Sequence, residues 1–188
     1  MTSKQRLIAA AQELFWERGF AGTSPKAIQD KSGARQGSMY HHFTGKTDLG
    51  RQAMEATSQQ MQVTLNAEFE SDGMAIERIE RYLRRSRDVL RGCRVGRMTS
   101  DPEVLEDPEL RQPLAAFFDW LEEKLTEVLA EGQKRGELVS ELDPVSVAVT
   151  ISATLQGGYV LSRAAGSPKP FKRAVDGILS LLETQRLR

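Results

Sequence analysis

Apolar residues recur at helical spacing along almost the whole chain, and Gly, Pro, Ser and Asp punctuate the stretches between them. Leu7, Ile8, Ala11, Leu14 and Phe15 fall on one face. Gly19 stops that pattern as a C-terminal cap would, which predicts a helix from about Lys4 to Arg18. Thr23-Ser24-Pro25 reads as a second start, with Ser24 as N-cap and Pro25 at the first helical position. Ala27 and Ile28 are its inward residues, and Ser32-Gly33 ends it after two turns. A third short helix then carries Met39 and Phe43 four apart on one face. Two short helices around a Gly-containing turn, braced by a longer first helix, form a helix-turn-helix.

The rest of the chain is also helical by pattern. Lys46 to about Glu70 reads as one long helix with Leu49, Ala53, Ala56, Met61, Leu65 and Phe69 inward, and Ser71-Asp72-Gly73 ends it. Ile76, Ile79, Leu83 and Leu90 mark the next helix, and Arg91 to Met98 a loop. Asp101-Pro102, Asp107-Pro108 and Asp143-Pro144 are three helix starts, and Gly166-Ser167-Pro168 separates the last two helices. These last two are apolar over more than one face, with Ser152, Ala153, Gly157 and Gly158 small enough for close approach. Such a pair wants more partner surface than one subunit provides, which predicts a homodimer; completing a monomeric core is the alternative. The expected fold is all-α, with a helix-turn-helix domain over 1–50 and a helical body over 51–188.

Composition sharpens the picture only locally. Hydrophobic residues are 39% and charged residues 28% of 188, an ordinary globular balance, and the formal net charge is zero. Residues 1–52, however, hold eight Lys and Arg against four Asp and Glu, so a basic head of +4 precedes a body of −4. That asymmetry lets one end meet phosphates while the other avoids them. The single cysteine, Cys93, excludes an internal disulfide and fits a reducing cytoplasm. The reading finds no apolar run that would span a bilayer and no signal-peptide core, so a cytoplasmic protein without a membrane partner is expected. No phosphate-cradling Gly loop and no nucleophile elbow is present, so neither catalysis nor a cofactor is expected.

The chemistry concentrates between Ala34 and Lys46. Arg35, Gln36, Ser38, His41 and His42 lie off the Met39/Phe43 face, all carry hydrogen-bonding groups, and none is acidic. An inward apolar anchor with an acid-free polar face suits insertion into a DNA groove, although a plain solvated helix has the same pattern. His41 and His42 are adjacent, so about 100° of helix rotation separates them and both cannot face one metal ion. The run Arg78, Arg81, Arg84, Arg85 and Arg87 is interleaved with Glu77, Glu80 and Asp88, which predicts a salt-bridged solvent face.

Residues 4–50 resemble the N-terminal domain of the TetR-type bacterial transcriptional repressors. The resemblance rests on Ala11, Leu14, Phe15, Gly19 and Phe20, on Gly22-Thr23, Ala27-Ile28 and Gly33, and most densely on Gly37-Ser38-Met39-Tyr40-His41-His42-Phe43 with Lys46 and Leu49. It implies a C2 dimer that places two copies of the third helix in successive major grooves of a palindromic operator in double-stranded DNA, roughly 34–36 Å apart. Gln36, Gly37, Ser38, Tyr40 and His41 would lie at the groove, and Thr23 and Lys46 would hold phosphates near helix starts. A ring packed in the small core is the alternative for Tyr40. Many family members carry a small aliphatic, Ser and Lys before the glycine, where this chain has Ala34-Arg35-Gln36. Arg35 would replace the missing charge and Gln36 would read an adenine edge.

The same resemblance implies a body that binds a small, mostly apolar effector and shifts the helix beginning at Lys46. Family-like position assigns the lining to Phe69, Tyr82, Cys93, Met98, Phe117, Trp120, Gln156 and Tyr159. Gly92-Cys93-Arg94-Val95-Gly96 is similar to the loop of one branch of the family, some of whose members use this cysteine to sense electrophiles. Arg91, Arg94 and Arg97 flank Cys93 in sequence and would favour its thiolate; a buried cysteine that merely packs is the alternative. A helical small-molecule-binding protein without DNA binding is a further alternative.

Overall fold

The computed structural model describes residues 1–34 and 37–187. Helix α1 (Ser3–Arg18) opens with a reciprocal cap: the Thr2 hydroxyl accepts the Gln5 N–H and the Gln5 amide oxygen accepts the Thr2 N–H. Gly19, at φ +82°, closes it by donating to the Phe15 carbonyl. Helix α2 (Pro25–Ser32) starts at Ser24, whose hydroxyl accepts the Ala27 N–H, and ends at the left-handed Gly33. Helix α3 (Ser38–His42) follows, then α4 (Lys46–Phe69), α5 (Ala75–Arg84), a 3₁₀ turn (Gly96–Ser100), α6 (Pro102–Glu106), α7 (Pro108–Lys134), α8 (Pro144–Ala165) and α9 (Lys169–Glu183). Among the described residues there is no strand, only an isolated bridge between Leu138 and Arg186.

Packing divides the chain into two compact units, Met1–Met61 with Arg94–Phe117, and Gln62–Cys93 with Phe118–Arg188. The unit that holds the helix-turn-helix is therefore larger than residues 1–50. Its core joins Leu7, Leu14, Phe15, Ile28, Met39 and Leu49 to Val104 and Leu110, all at or below 3% exposure. Burial of side chains of this size is worth about 1.5–3 kcal/mol each. The later segment is tied to the head by specific bonds. Arg97 Nη2 donates to the Glu17 carbonyl at 2.8 Å, and Asp101 Oδ2 accepts the Ala21 N–H at 2.8 Å. Gly50 has no side chain where Phe20 and Leu110 close in: a Cβ there would lie 2.6 Å from the Phe20 ring.

In the second unit α8 packs along α9, and α9 also meets α5. Gly158 and Ser162 make the first contact possible. A Cβ on Gly158 would stand 3.0 Å from Phe171, and the Ser162 hydroxyl accepts the Phe171 N–H at 2.8 Å. Arg78 links the end of α4 to α7, donating from Nε to the Phe69 carbonyl at 2.6 Å and from Nη1 to Glu131 at 2.5 Å. Gln133 donates to the carbonyls of Val139 and Leu142 and so closes the turn before α8.

Two sequence expectations are corrected. Helix α5 stops at Arg84, and Leu90, 45% exposed, lies in a turn, so the apolar spacing that extended the helix to Leu90 was fortuitous. Helix α8 is long and apolar enough by length and composition to cross a membrane. Its apolar residues are interrupted by Ser, Thr and Gly, so no unbroken apolar run marks it in the sequence.

Candidate nucleic-acid interface and body cluster

Helix α3 has the polarity expected of it. Met39 (0% exposed) and Phe43 (3%) anchor it, while Tyr40 is 65% exposed and His41 is also on the surface. Tyr40 is therefore not packed in the small core. Gly37 precedes the helix at φ +92°, a left-handed conformation that glycine adopts at little cost. Arg35 and Gln36 lie outside the described residues.

Ser38 is half-buried, and its hydroxyl meets that of Ser3 at 2.8 Å. The same Ser3 hydroxyl lies 2.8 Å from His42 Nε2. The first residues of α1 thus brace both ends of α3, and Lys4 Nζ sits 5.7 Å from the centre of the Phe43 ring. The helical spacing places a helix start at about Lys4, but nothing local in the sequence marks the contacts of Ser3 and Lys4 with α3 and Phe43.

Thr23 is corrected. It is 1% exposed, its hydroxyl donates to the Gly19 carbonyl at 2.7 Å, and its N–H donates to Phe20. Its polar groups finish the end of α1 and leave nothing for a phosphate. Lys46 keeps a partly exposed ammonium, 4.1 Å from the Phe20 ring centre and 3.9 Å from Glu103. Beside it, the Gln52 amide, the Thr44 N–H and Arg51 hold the Asp48 carboxyl below the usual carboxylate range.

In the second unit a chain of rings crosses the interior. Phe69 lies 5.0 Å from Tyr82 and 6.4 Å from Trp120 between ring centres, and Tyr159 lies 4.7 Å from Phe171. The Arg87 guanidinium joins the two groups, 5.6 Å from the Tyr82 ring and 5.4 Å from Phe171. Burial pushes the Tyr82 hydroxyl up, pushes Tyr159 up to about 12 and pulls the Arg87 guanidinium down. Cys93 is buried, 8% exposed, within electrostatic reach of Tyr82, Tyr159 and Arg87. Gln156, half-buried, precedes Tyr159 by one turn of α8.

Of the residues assigned by position to the effector site, Phe69, Tyr82 and Trp120 meet directly, and Tyr159 joins them through Phe171 and Arg87. Met98 and Phe117 pack in the other unit, where Met98 lines a crevice with Gln12, Trp16, Met54 and Thr57. The expected flanking of Cys93 by cations is also changed. Arg94 stacks 4.0 Å from the centre of the Trp16 ring and reaches Glu13 at 3.9 Å, and Arg97 bonds the Glu17 carbonyl, so both charges are committed to α1. The Arg run is salt-bridged at Arg78 and Arg84, whereas Arg81 bonds Ser71 and the Asp72 carbonyl.

Two family models match the chain. "Bacterial regulatory proteins, tetR family" covers residues 7–53, and "Tetracyclin repressor-like, C-terminal domain" covers residues 74–178, more than half of the sequence. The chain belongs to the TetR family. It is a transcriptional regulator of helix-turn-helix type. The chain is similar to the HTH-type transcriptional repressor DhaR of Mycobacterium sp. (strain GP1), 23% identical over 95% of this chain and 91% of that protein's length. A TetR transcriptional regulator from Chloroflexus aurantiacus J-10-fl superposes with a TM-score of 0.87 at 25% identity, covering 99% of this chain and 97% of that one. A cysteine mutant of the TetR family regulator CifR, solved with 26-bp double-strand operator DNA, superposes with a TM-score of 0.79 at 21% identity, with 94% of each chain covered.

Proposed function

We propose that this TetR-family regulator acts in the cytoplasm as a repressor, binding a palindromic operator as a homodimer and leaving it when a small, mostly apolar effector occupies the body. The observation that carries the DNA reading is the split of α3, with Met39 and Phe43 sealed inward while Tyr40 and His41 stand in solvent beside a braced Ser38. Tyr40, His41, Gly37 and Ser38, with Arg35 and Gln36 before them, would meet the groove, and Lys46 would fix register on a phosphate. The dimer reading rests on apolar residues left open on α8 and α9: Val145, Val149, Val160, Leu161 and Leu181 are all between 44% and 65% exposed. The assigned role is regulation, with no catalytic step.

The test is fluorescence anisotropy on DNA flanking the regulator's own gene, across a salt series. Affinity should fall steeply with salt. Lys46→Ala should weaken binding to all sequences alike, whereas Gln36→Ala should also relax base preference. Equal loss across sequences for both variants contradicts the assigned roles, and absence of salt-dependent binding removes the DNA reading.

A second reading is favoured by the place of Cys93, buried in the body in the loop that follows Tyr82 and Arg87. On that reading the Gly92–Gly96 loop belongs to the electrophile-sensing branch, and adduct formation at Cys93 releases the operator. A Cys93→Ser variant that responds as the native protein does removes it.

A further inference from the structure

Arg87 differs from Arg78 and Arg84 on α5. Arg78 and Arg84 face carboxylates, whereas among the described residues no acidic group pairs with Arg87, although its guanidinium is largely withdrawn from solvent. Two of its donors go to backbone carbonyls at the end of α5, Nη1 to Leu83 at 3.0 Å and Nη2 to Tyr82 at 2.6 Å. A guanidinium carries five N–H donors in a planar fork, so the remaining edge is left for another acceptor. The Tyr82 and Phe171 rings flank the cation and fix its place through their faces.

Neither the Tyr82 nor the Tyr159 hydroxyl has a hydrogen-bond partner among the described residues. Ser152 Oγ and Asn66 Oδ1 are buried with no partner either. Ser152 precedes Tyr159 by two turns of α8, and Asn66 precedes Phe69 by one turn of α4, so each shares a face with a residue of the ring cluster. Buried polar groups are nearly always satisfied, and a cation without a counter-charge in a low-dielectric site is costly to keep. A carboxylate answers the cation with paired, charge-assisted hydrogen bonds and can accept from a tyrosine hydroxyl as well. The rings of Phe69, Tyr82 and Trp120 would cover an apolar remainder.

We propose that the effector is a small organic acid, its carboxylate held by Arg87 and the Tyr159 hydroxyl and its apolar part lying along Phe69, Tyr82 and Trp120. This inference rests on the reading of the body as an effector-binding domain, and it goes beyond that reading by naming the charge of the effector.

The experiment titrates the full-length protein by calorimetry with 4-phenylbutanoate and with its neutral isostere 4-phenylbutanamide. The carboxylate should bind about tenfold or more tightly than the amide, the difference expected of a charge-assisted bond. In Arg87→Gln the ratio should fall to near one, with circular dichroism and a thermal melt of the variant reporting whether α5 survives without its cap. If that variant does not fold, the acid-to-amide ratio on the intact protein still decides. An amide that binds as well as the acid overturns the proposed charge preference and leaves the effector reading standing. Failure of both probes to bind at millimolar concentration overturns the effector site at this cluster, and the organic-acid inference with it.

Discussion

The Asp101 carboxylate holds the backbone of Ala21 across 80 residues of sequence: Oδ2 accepts the Ala21 N–H at 2.8 Å while Oδ1 accepts the Glu103 N–H at 3.2 Å. One side chain thus caps α6 and pins the turn between α1 and α2. Asp101→Ala leaves both N–H groups without their acceptor. It should destabilise the protein by about 1–3 kcal/mol in chemical denaturation. Asp101→Asn retains one good acceptor and should recover about half of the loss. An unchanged denaturation midpoint for Asp101→Ala would show that the Ala21 contact contributes nothing in solution.

Two glycines of the head should respond to alanine for opposite reasons. At Gly50 the backbone is helical and space is absent, since a Cβ would meet Phe20 at 2.6 Å and Leu110 at 3.0 Å. Gly50→Ala should cost about 1–3 kcal/mol through overpacking. At Gly37 nothing lies within 4 Å of an added Cβ, but φ is +92°. Gly37→Ala should cost about 1–2 kcal/mol through backbone strain alone. Truncating Phe20 to Leu should partly rescue Gly50→Ala and leave Gly37→Ala untouched, as read by thermal denaturation.

Alkaline pH probes the body. The Tyr159 hydroxyl ionises only at about 12 in the folded chain, against a usual value near 10, because burial disfavours the phenolate. A raised folded value means stability that is full below about pH 10 and is lost as pH rises towards 12. Native protein should therefore lose stability through that window more steeply than Tyr159→Phe, which has no proton to release there. Parallel curves for the two proteins in urea denaturation against pH would remove this assignment.

The open apolar residues of α8 and α9 give the fourth prediction. Val160 and Leu181 are each 65% exposed, so a charge at either should be tolerated by the isolated chain. In a homodimer formed through that face, Val160→Glu with Leu181→Glu buries unpaired carboxylates and should convert the dimer to monomer in sedimentation velocity. Operator affinity should drop with it, because two linked heads bind far more tightly than one. A double variant that sediments as the native protein does places the interface elsewhere.

The helix punctuation of this chain is legible in its sequence. Ser24 with Pro25, the Asp-Pro pairs at 101, 107 and 143, and the stops at Gly19, Gly33 and Gly166 act through bonds that reach only a few residues along the backbone. The inward residues of α3 were equally legible, because Met39 and Phe43 follow from helical spacing alone. Family-specific motifs covered the head densely.

What local pattern could not supply were relationships between distant residues. Ser3 braces Ser38 and His42 from 35 and 39 positions away, and Lys46 meets Glu103 on α6. The hydroxyl of Thr23 turns inward to the carbonyls that end α1, so a residue read as a phosphate ligand is a structural cap. Met98 lines a crevice beside Trp16 in the unit of the reading head, and Arg87 lies between two rings from different helices with no acid paired to it among the described residues. Caps, helical faces and family motifs are written in residues within a few turns of one another, and the sequence alone determined them. Which hydroxyl is spent, which cation is left uncompensated and which segment joins the head depend on side chains far apart along the chain, and only the packed tertiary structure decided them.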